Sequence, residues 1–265
     1  MTARDAAIAG LDATVDGIAT DATTAAELFA VVDLLDGQPM LRRSLSDPSA
    51  SDESRAQLAQ RLFAGRVASS TLGVLEAVVK TAHRSGNALV ASLDRQGVRL
   101  ALRQARDSGQ LGTVTAELFQ VSSVVDGSHE LSAALRNPAY PVEAKRGLVA
   151  GLVAGKVSPA TLELVNRAVN ARRRTFPLTV QGYLEMAAEL AGQRIAKVTV
   201  ARELDEGRAA RLKSALEAQV GAPVSLQVTV DPAVLGGVNV ALGDDVYEST
   251  VAARLEDARR QLINL

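Results

Sequence analysis

Glu27-Leu28-Phe29-Ala30-Val31-Val32-Asp33-Leu34-Leu35-Asp36-Gly37 finds a partner ninety residues on, where Glu117-Leu118-Phe119 opens a stretch that closes on Asp126-Gly127. The match continues without a gap. Leu41, Leu45, Pro48 and Glu53 fall on Leu131, Leu135, Pro138 and Glu143, and Leu58 falls on Leu148. Leu62, Ala64-Gly65 and Val67 meet Leu152, Ala154-Gly155 and Val157; Thr71-Leu72 meets Thr161-Leu162, and Arg84 meets Arg174. Two copies at so long a period fit a duplicated small domain better than a solenoid, so each copy is expected to bury a core of its own.

Within each copy the apolar spacing is helical. Leu72, Leu75, Val78, Val79 and Ala82 lie on one stripe, as do Leu162, Val165, Ala168 and Val169. Breakers stand at matching places: Asp36-Gly37 and Asp126-Gly127 after one helix, Asp47-Pro48 and Asn137-Pro138 after the next. Ile8, Leu11, Val15 and Ile18 give the opening segment a helical face, and Leu178 to Gln193 reads as helix behind Pro177. Residues 1–193 therefore read as all α.

The period changes after Arg194. Val198 and Val200 alternate with Lys197 and Thr199, and Val224, Leu226, Val228 and Val230 with Ser225, Gln227 and Thr229, which is the two-residue rhythm of strands. Between them Asp205 is placed to cap a helix with Leu212, Ala215 and Leu216 on its apolar face, ending at Gly221. Val238, Val240 and Leu242 form a third strand, which turns at Gly243-Asp244 into Val246 and Tyr247. A last helix carries Val251, Leu255, Ala258 and Leu262 on one face, with Arg259 and Arg260 where cations suit the helix dipole. The fold class is mainly α with a small α/β C-terminal domain. The expected division is an extra helical copy over 1–95, a helical bundle over 96–193, and the strand-containing domain over 194–265.

The chain has 265 residues, is 47% hydrophobic and 22% charged, and carries a net charge of −1, the profile of a globular protein with ample length for a core. The longest stretch without an ionisable Asp, Glu, Lys or Arg, Ala218 to Val230, is too short to span a bilayer, and no secretory signal opens the chain. An intracellular location without direct membrane insertion is expected. No cysteine is present, which removes disulfides, thiolate nucleophiles and Cys-based metal sites. Two histidines and 3% aromatics leave few general bases and few stacking platforms, so neither catalysis nor a cofactor is expected. Charge is uneven. Residues 1–53 hold three Lys/Arg against ten Asp/Glu, and residues 54–116 hold nine against three. Complementary faces inside one bundle account for this asymmetry better than two patches for partners.

Individual motifs read as structure. Gly151-Leu-Val-Ala-Gly155-Lys156-Val157 has three residues between its glycines where a phosphate loop needs four, and Val157 has no hydroxyl for magnesium. Because its counterpart is Ala64-Gly65-Arg66-Val67, the glycine is expected to close a helix in both copies. Gly236-Gly237 precedes a strand rather than a helix and so is no dinucleotide fingerprint. His83 and His129 align with Arg173 and Pro39, share no role between copies, and read as surface residues. Arg172-Arg173-Arg174 is expected to complement the carbonyl end of a helix.

The C-terminal residues Asp231-Pro-Ala-Val-Leu-Gly236-Gly237-Val-Asn-Val240-Ala-Leu-Gly243-Asp244, with Glu248, Ser249, Thr250, Val251, Arg254 and Leu255 after them, resemble the signature of the delta subunit of F-type ATP synthases. This is the family of the mitochondrial oligomycin-sensitivity protein. Glu248, Thr250 and Tyr247 stand where the family usually has Asp, Ser and an aliphatic residue. Upstream, Asn137-Pro138, Lys145-Arg146, Leu148, Leu152 and Gly155 to Leu162 look like the family's helical segment. Residues 96–265 thus resemble a whole ordinary member, and the additional copy resembles the lengthened actinobacterial form.

The resemblance implies a six-helix bundle, a small α/β domain and a non-catalytic place in the peripheral stalk, on the cytoplasmic face of the bacterial plasma membrane. There the family links the catalytic head to the membrane-anchored b subunit, so that proton flow is coupled to ATP synthesis. In the family the helical domain takes N-terminal helices of the alpha subunits, and the C-terminal domain meets the C-terminal end of the b subunit. By position, the alpha groove corresponds to the helices around Leu100 to Gln104 and Leu178 to Leu184, and the b contact to Leu255, Ala258 and Leu262 of the last helix. The alternative from another class is a soluble helical adaptor or nucleic-acid-binding protein using the basic middle, Arg55 to Arg106. An isoelectric point of 6.2, with neither interleaved aromatics nor a groove-reading motif, speaks against nucleic acid.

Overall fold

In a computed structural model, the chain is described at residues 3–171, 174–232, 237–242 and 245–250. It divides into two compact units, Met1–Leu111 and Gly112–Leu265. The first contains α1 (Ala3–Asp16), α2 (Thr24–Gly37), α3 (Pro39–Leu45), α4 (Asp52–Phe63), α5 (Ser69–Lys80) and α6 (Gly86–Asp107). Local chemistry fixes several starts. The Ser51 and Ser85 hydroxyls each accept a backbone N–H at 3.2 Å, from Ser54 and Ala88, and Pro39 sits where its missing N–H costs nothing. The core gathers Leu28 and Leu35 of α2, Leu45 of α3, Leu75 and Val78 of α5, and Leu89 and Leu93 of α6, all fully buried. α6 crosses α2 closely. A Cβ at Gly97 would come within 2.5 Å of the Phe29 ring, so the contact requires glycine.

The helices of the second unit follow at the same ninety-residue offset. They are α7 (Leu111–Gly127), α8 (His129–Arg136), α9 (Val142–Val153), α10 (Pro159–Val169) and α11 (Phe176–Leu190). The stops agree with the sequence reading. α2 and α7 both end on the glycine of Asp-Gly, α3 and α8 end just ahead of Asp47-Pro48 and Asn137-Pro138, and Gly65 and Gly155 take φ of +73° and +67° just past α4 and α9. Gly155-Lys156 is thereby a helix terminus, not the opening of a phosphate cradle.

α6 runs through residue 95 as one continuous helix, with Leu93, Gln96, Val98 and Leu102 all buried. Two helix ends differ from the expectation. Ile18 falls beyond the end of α1, while Asp12, a charged residue the apolar pattern passes over, is buried. Ala82 likewise lies outside α5, and Val74 and Leu164 complete the buried stripes of α5 and α10.

Beyond α11 comes the β-α-β-β-β segment: β1 (Arg194–Val200), α12 (Glu206–Val220), β2 (Val224–Val230), β3 (Gly237–Leu242) and β4 (Asp245–Thr250). Asp205 caps α12 by accepting the Arg208 N–H at 2.8 Å, and Gly221 ends the helix at φ +70°. The strand order is β2-β1-β3-β4, with β1 and β2 parallel and the remaining pairs antiparallel. Register puts Ala196, Val198 and Val200 beside Leu226, Val228 and Val230, so one face is apolar and packs on Leu212, Leu216 and Val220 of α12. Ala215 is exposed instead of joining this face, since the contacting positions step by four and it falls between them. The last helix expected from Val251, Leu255, Ala258 and Leu262 lies outside the described residues.

Candidate partner-binding surfaces

Leu100 and Gln104 lie one turn apart on α6 of the first unit, and Leu178 and Leu184 lie on α11 of the second. Leu100 and Leu184 are buried at 4% exposure each, so both belong to the packing of their own units. Gln104 is exposed, and Leu178 is 55% exposed in the first turns of α11. These two present surface. Leu255, Ala258 and Leu262 lie outside the described residues.

Large apolar side chains are exposed around α9. Tyr140 precedes that helix, and Val142 and Leu148 stand on it at 39% and 47% exposure. Ala144, Gly147 and Gly151 share its exposed side, and a Cβ at either glycine would meet nothing within 4 Å. The equivalent face of α4 carries Ser54, Gln57 and Arg61, all exposed and polar. Apolar residues at helical spacing on an open helix face are the chemistry by which one helix receives another.

The charge asymmetry of the sequence resolves into a ladder between α1 and α6. Asp12 accepts from Arg95 Nη1 at 2.5 Å and Nη2 at 2.8 Å, and from Gln96 Nε2 at 2.7 Å. Asp16 accepts from Arg99 and, at 3.1 Å, from Arg103 Nη1. The Arg99 guanidinium hydrogen bond holds the Asp16 carboxyl below its ordinary range, against an opposing but smaller effect of burial. Bidentate arginine on a nearly buried aspartate is a strong form of ion pair and fixes the angle of α1. Sequence reasoning foresaw the complementarity but missed the residues, because partners 83 positions apart leave no local period.

A second recurring device was likewise visible only as a repeated residue. Glu27 Oε2 accepts the Ala68 N–H at 2.8 Å and the Thr71 hydroxyl at 2.6 Å, and so binds α2 to the start of α5. Ninety residues on, Glu117 Oε2 accepts the Ser158 N–H at 2.9 Å, the Ser158 hydroxyl at 2.8 Å and the Thr161 hydroxyl at 2.6 Å. Burial pushes the Glu117 carboxyl up, yet these three donors outweigh it and hold the group below its ordinary value. Each glutamate supplies an acceptor to orphan donors at a helix N-terminus, where a negative charge also suits the dipole.

His83 departs from the surface role expected of it. It is half-buried with Nε2 2.8 Å from the Val78 carbonyl, and burial pushes its pKa down. Arg55 holds the same helix end, donating from Nε to the Val79 carbonyl at 2.8 Å. His129 is exposed in the first turn of α8. Of the arginine run, Arg174 is exposed beyond the end of α10, and Arg172 and Arg173 lie outside the described residues. Among the described residues no group of three or more His, Cys, Asp or Glu is arranged to hold a metal ion. No described helix is long and apolar enough to cross a membrane.

Comparison with known proteins joins these surfaces to a family. Residues 101–262 match the family model "ATP synthase delta (OSCP) subunit". The chain is 41% identical to the ATP synthase subunit delta of Cutibacterium acnes over 99% of its length and 100% of that protein's. It is 39% identical to the corresponding subunit of a Nocardioides species, covering 91% of this chain and 87% of that one. A chain in the cryo-EM structure of the Toxoplasma gondii mitochondrial ATP synthase hexamer aligns at TM-score 0.39 and 20% identity, over 64% of this chain and 97% of that chain.

Proposed function

Since the chain belongs to the ATP synthase delta (OSCP) subunit family, we propose that it is a non-catalytic clamp of the peripheral stalk, holding the catalytic head to the membrane-anchored b subunit. The observation that carries this reading is the 41% identity to a curated delta subunit over 99% of the chain, which leaves no segment unaccounted for. The geometry suits it. Aliphatic helical units with open faces at Leu178 and around Leu148 bind other helices without requiring a titrating group.

In this reading the helical units take N-terminal helices of the alpha subunits. The face around Leu100 to Gln104 on α6 and the face around Leu178 to Leu184 on α11 each take such a helix, with Leu100 and Leu184 in the packing beneath their own faces. The C-terminal domain meets the end of the b subunit through Leu255, Ala258 and Leu262. Peripheral attachment at the cytoplasmic face of the plasma membrane follows from that position in the complex. We also propose that α2–α6 and α7–α11 are duplicated copies, with the division between them after α6 instead of at residue 95.

The deciding experiment is calorimetric titration of the chain into catalytic heads depleted of their own delta subunit, and into depleted heads that lack the alpha N-terminal helices. Tight binding, near the nanomolar range that corresponds to about −12 kcal/mol, is expected only with the intact helices. Equal binding to both would remove the alpha-helix assignment. Leu255→Asp together with Leu262→Asp is expected to uncouple proton pumping in reconstituted membranes while leaving ATP hydrolysis intact, and unimpaired pumping would remove the b contact.

A further inference from the structure

The two outer strands of the sheet differ in a way that points to an interaction surface. β4, at one edge, includes Asp245 and Glu248 in its sequence. β2, at the other, reads Val-Ser-Leu-Gln-Val-Thr-Val over seven residues, with no charge, proline or glycine. Long uncharged edges are what folded proteins ordinarily avoid, because the outward row of N–H and C=O groups accepts any extended chain.

Two bonds fix which groups point outward. Arg194 N donates to the Pro223 carbonyl and Asp231 N to the Val200 carbonyl, each at 2.8 Å, so the odd-numbered residues of this strand face β1. Their even-numbered neighbours therefore direct N–H and C=O away from the sheet. The first of these, the Val224 N–H, is satisfied by Glu217 Oε1 at 3.0 Å. Leu226, Val228 and Val230 follow with no such cap among the described residues. Their side chains lie on the α12 face of the sheet but are incompletely covered. Leu226 and Val228 are only partly buried against that core, and Val230 is 44% exposed. A neighbouring strand would satisfy the backbone row and cover this apolar margin at once.

We propose that the β2 edge receives an extended segment of another subunit of the assembled enzyme by strand addition. The segment pairs with Leu226, Val228 and Val230 and places apolar side chains at alternate positions on the α12 side. The positions between face Ser225, Gln227 and Thr229 and are polar. The inference rests on the stalk reading only in taking its partner from the assembled enzyme. It uses none of the residues assigned to helix docking.

The test compares hydrogen exchange of the Leu226, Val228 and Val230 amides in the chain alone and in ATP synthase rebuilt from depleted enzyme plus this chain. Fast exchange in isolation and slowing by about a hundredfold or more on assembly is expected. Val228→Pro deletes one outward N–H and no bond to β1, so it should keep the fold by circular dichroism and join the depleted enzyme at least about tenfold more weakly. Val230→Lys, at an exposed position, should weaken joining in the same direction.

Amides that stay fast after assembly, or variants that join as tightly as the parent, overturn the proposal. Amides already slow in the isolated chain also overturn it. Slowness at every concentration means that the chain covers its own edge, and slowness only at high concentration means that copies pair with each other. A parent chain that fails to join depleted enzyme removes the stalk reading and this one together. One that joins with its edge amides still fast removes strand addition alone.

Discussion

The helices of the first unit and their counterparts in the second keep the same interior devices and differ on their exposed sides. Glu27 and Glu117 tie the same pair of helices together through the same acceptor oxygen, and Gly65 and Gly155 turn the chain at equivalent points. On the open face of α4, however, stand Ser54, Gln57 and Arg61, where α9 has Ala144, Gly147 and Gly151 beside Leu148. On α6, Arg95 and Arg99 stand where α11 has Glu185 and Glu189. Packing and capping constrain a residue from several sides at once, whereas an exposed position answers only to whatever it meets. The first unit uses its arginine face to hold α1, and the unlike exposed faces are where we propose that the two units take different neighbours.

Substitutions can break this comparison at several strengths. Asp12→Ala leaves Arg95 and Gln96 without their buried acceptor and is expected to cost about 3 kcal/mol, read as faster exchange of α1 and α6 amides with α8–α10 unchanged. Uniform loss across both units would show that they unfold as one. Gly97→Ala should cost about 1–3 kcal/mol in thermal unfolding, because the added methyl meets Phe29, although the equivalent position of α11 already holds alanine, Ala187. A neutral result would mean that the α2–α6 crossing relaxes to the wider spacing alanine needs.

Glu27→Gln and Glu117→Gln are expected to destabilise by similar amounts, about 1–2 kcal/mol each, since both weaken acceptors to a helix N-terminus. A large difference between them would end the equivalence of the two devices. Leu148→Arg should change stability by less than about 0.5 kcal/mol yet weaken joining to depleted enzyme, while Leu58→Arg, at the equivalent half-buried position, should mainly lower stability.

Acid gives the gentlest probe. Asp16 and Glu117 have folded pKa values below their unfolded ones, so the stability they add is complete above the unfolded carboxylate range and is lost as pH falls through the folded values. Chemical denaturation below about pH 4 should show this decline. Asp16→Asn should flatten it in the first unit and Glu117→Gln in the second. His83 acts from higher pH. Its lowered folded pKa means that the unfolded chain takes up the proton first, so stability declines as pH drops below about 6.5 and levels off below the folded value.

Much of this organisation is legible in the sequence because helix stops and strand alternation are local. Gly65, Gly155, Gly221 and the Asp205 cap announce themselves through neighbours within a turn, and Val198 to Val200 alternates over a few residues. What the sequence hides is long-range and polar. A buried aspartate interrupts the apolar stripe of α1 and gains its meaning only from arginines of α6 far down the chain. The α6 boundary hides for a related reason: by the ninety-residue shift, α1 falls on residues 93–106, so a single helix carries the pattern of an opening helix and of a closing one. Of the surface, Leu178 was legible as a position, while the open face of α9 shows only once burial separates its apolar residues from the core.

The α1–α6 ladder also sets an order of events during synthesis. Asp12 and Asp16 leave the ribosome long before Arg95, Arg99 and Arg103, which are 83 to 87 residues behind the aspartates they hold. At about 5–20 residues per second, the two aspartates wait several seconds for these arginines. The charged lock on α1 is thus among the last contacts of the nascent first unit to close, after α5 has already emerged to meet the helix.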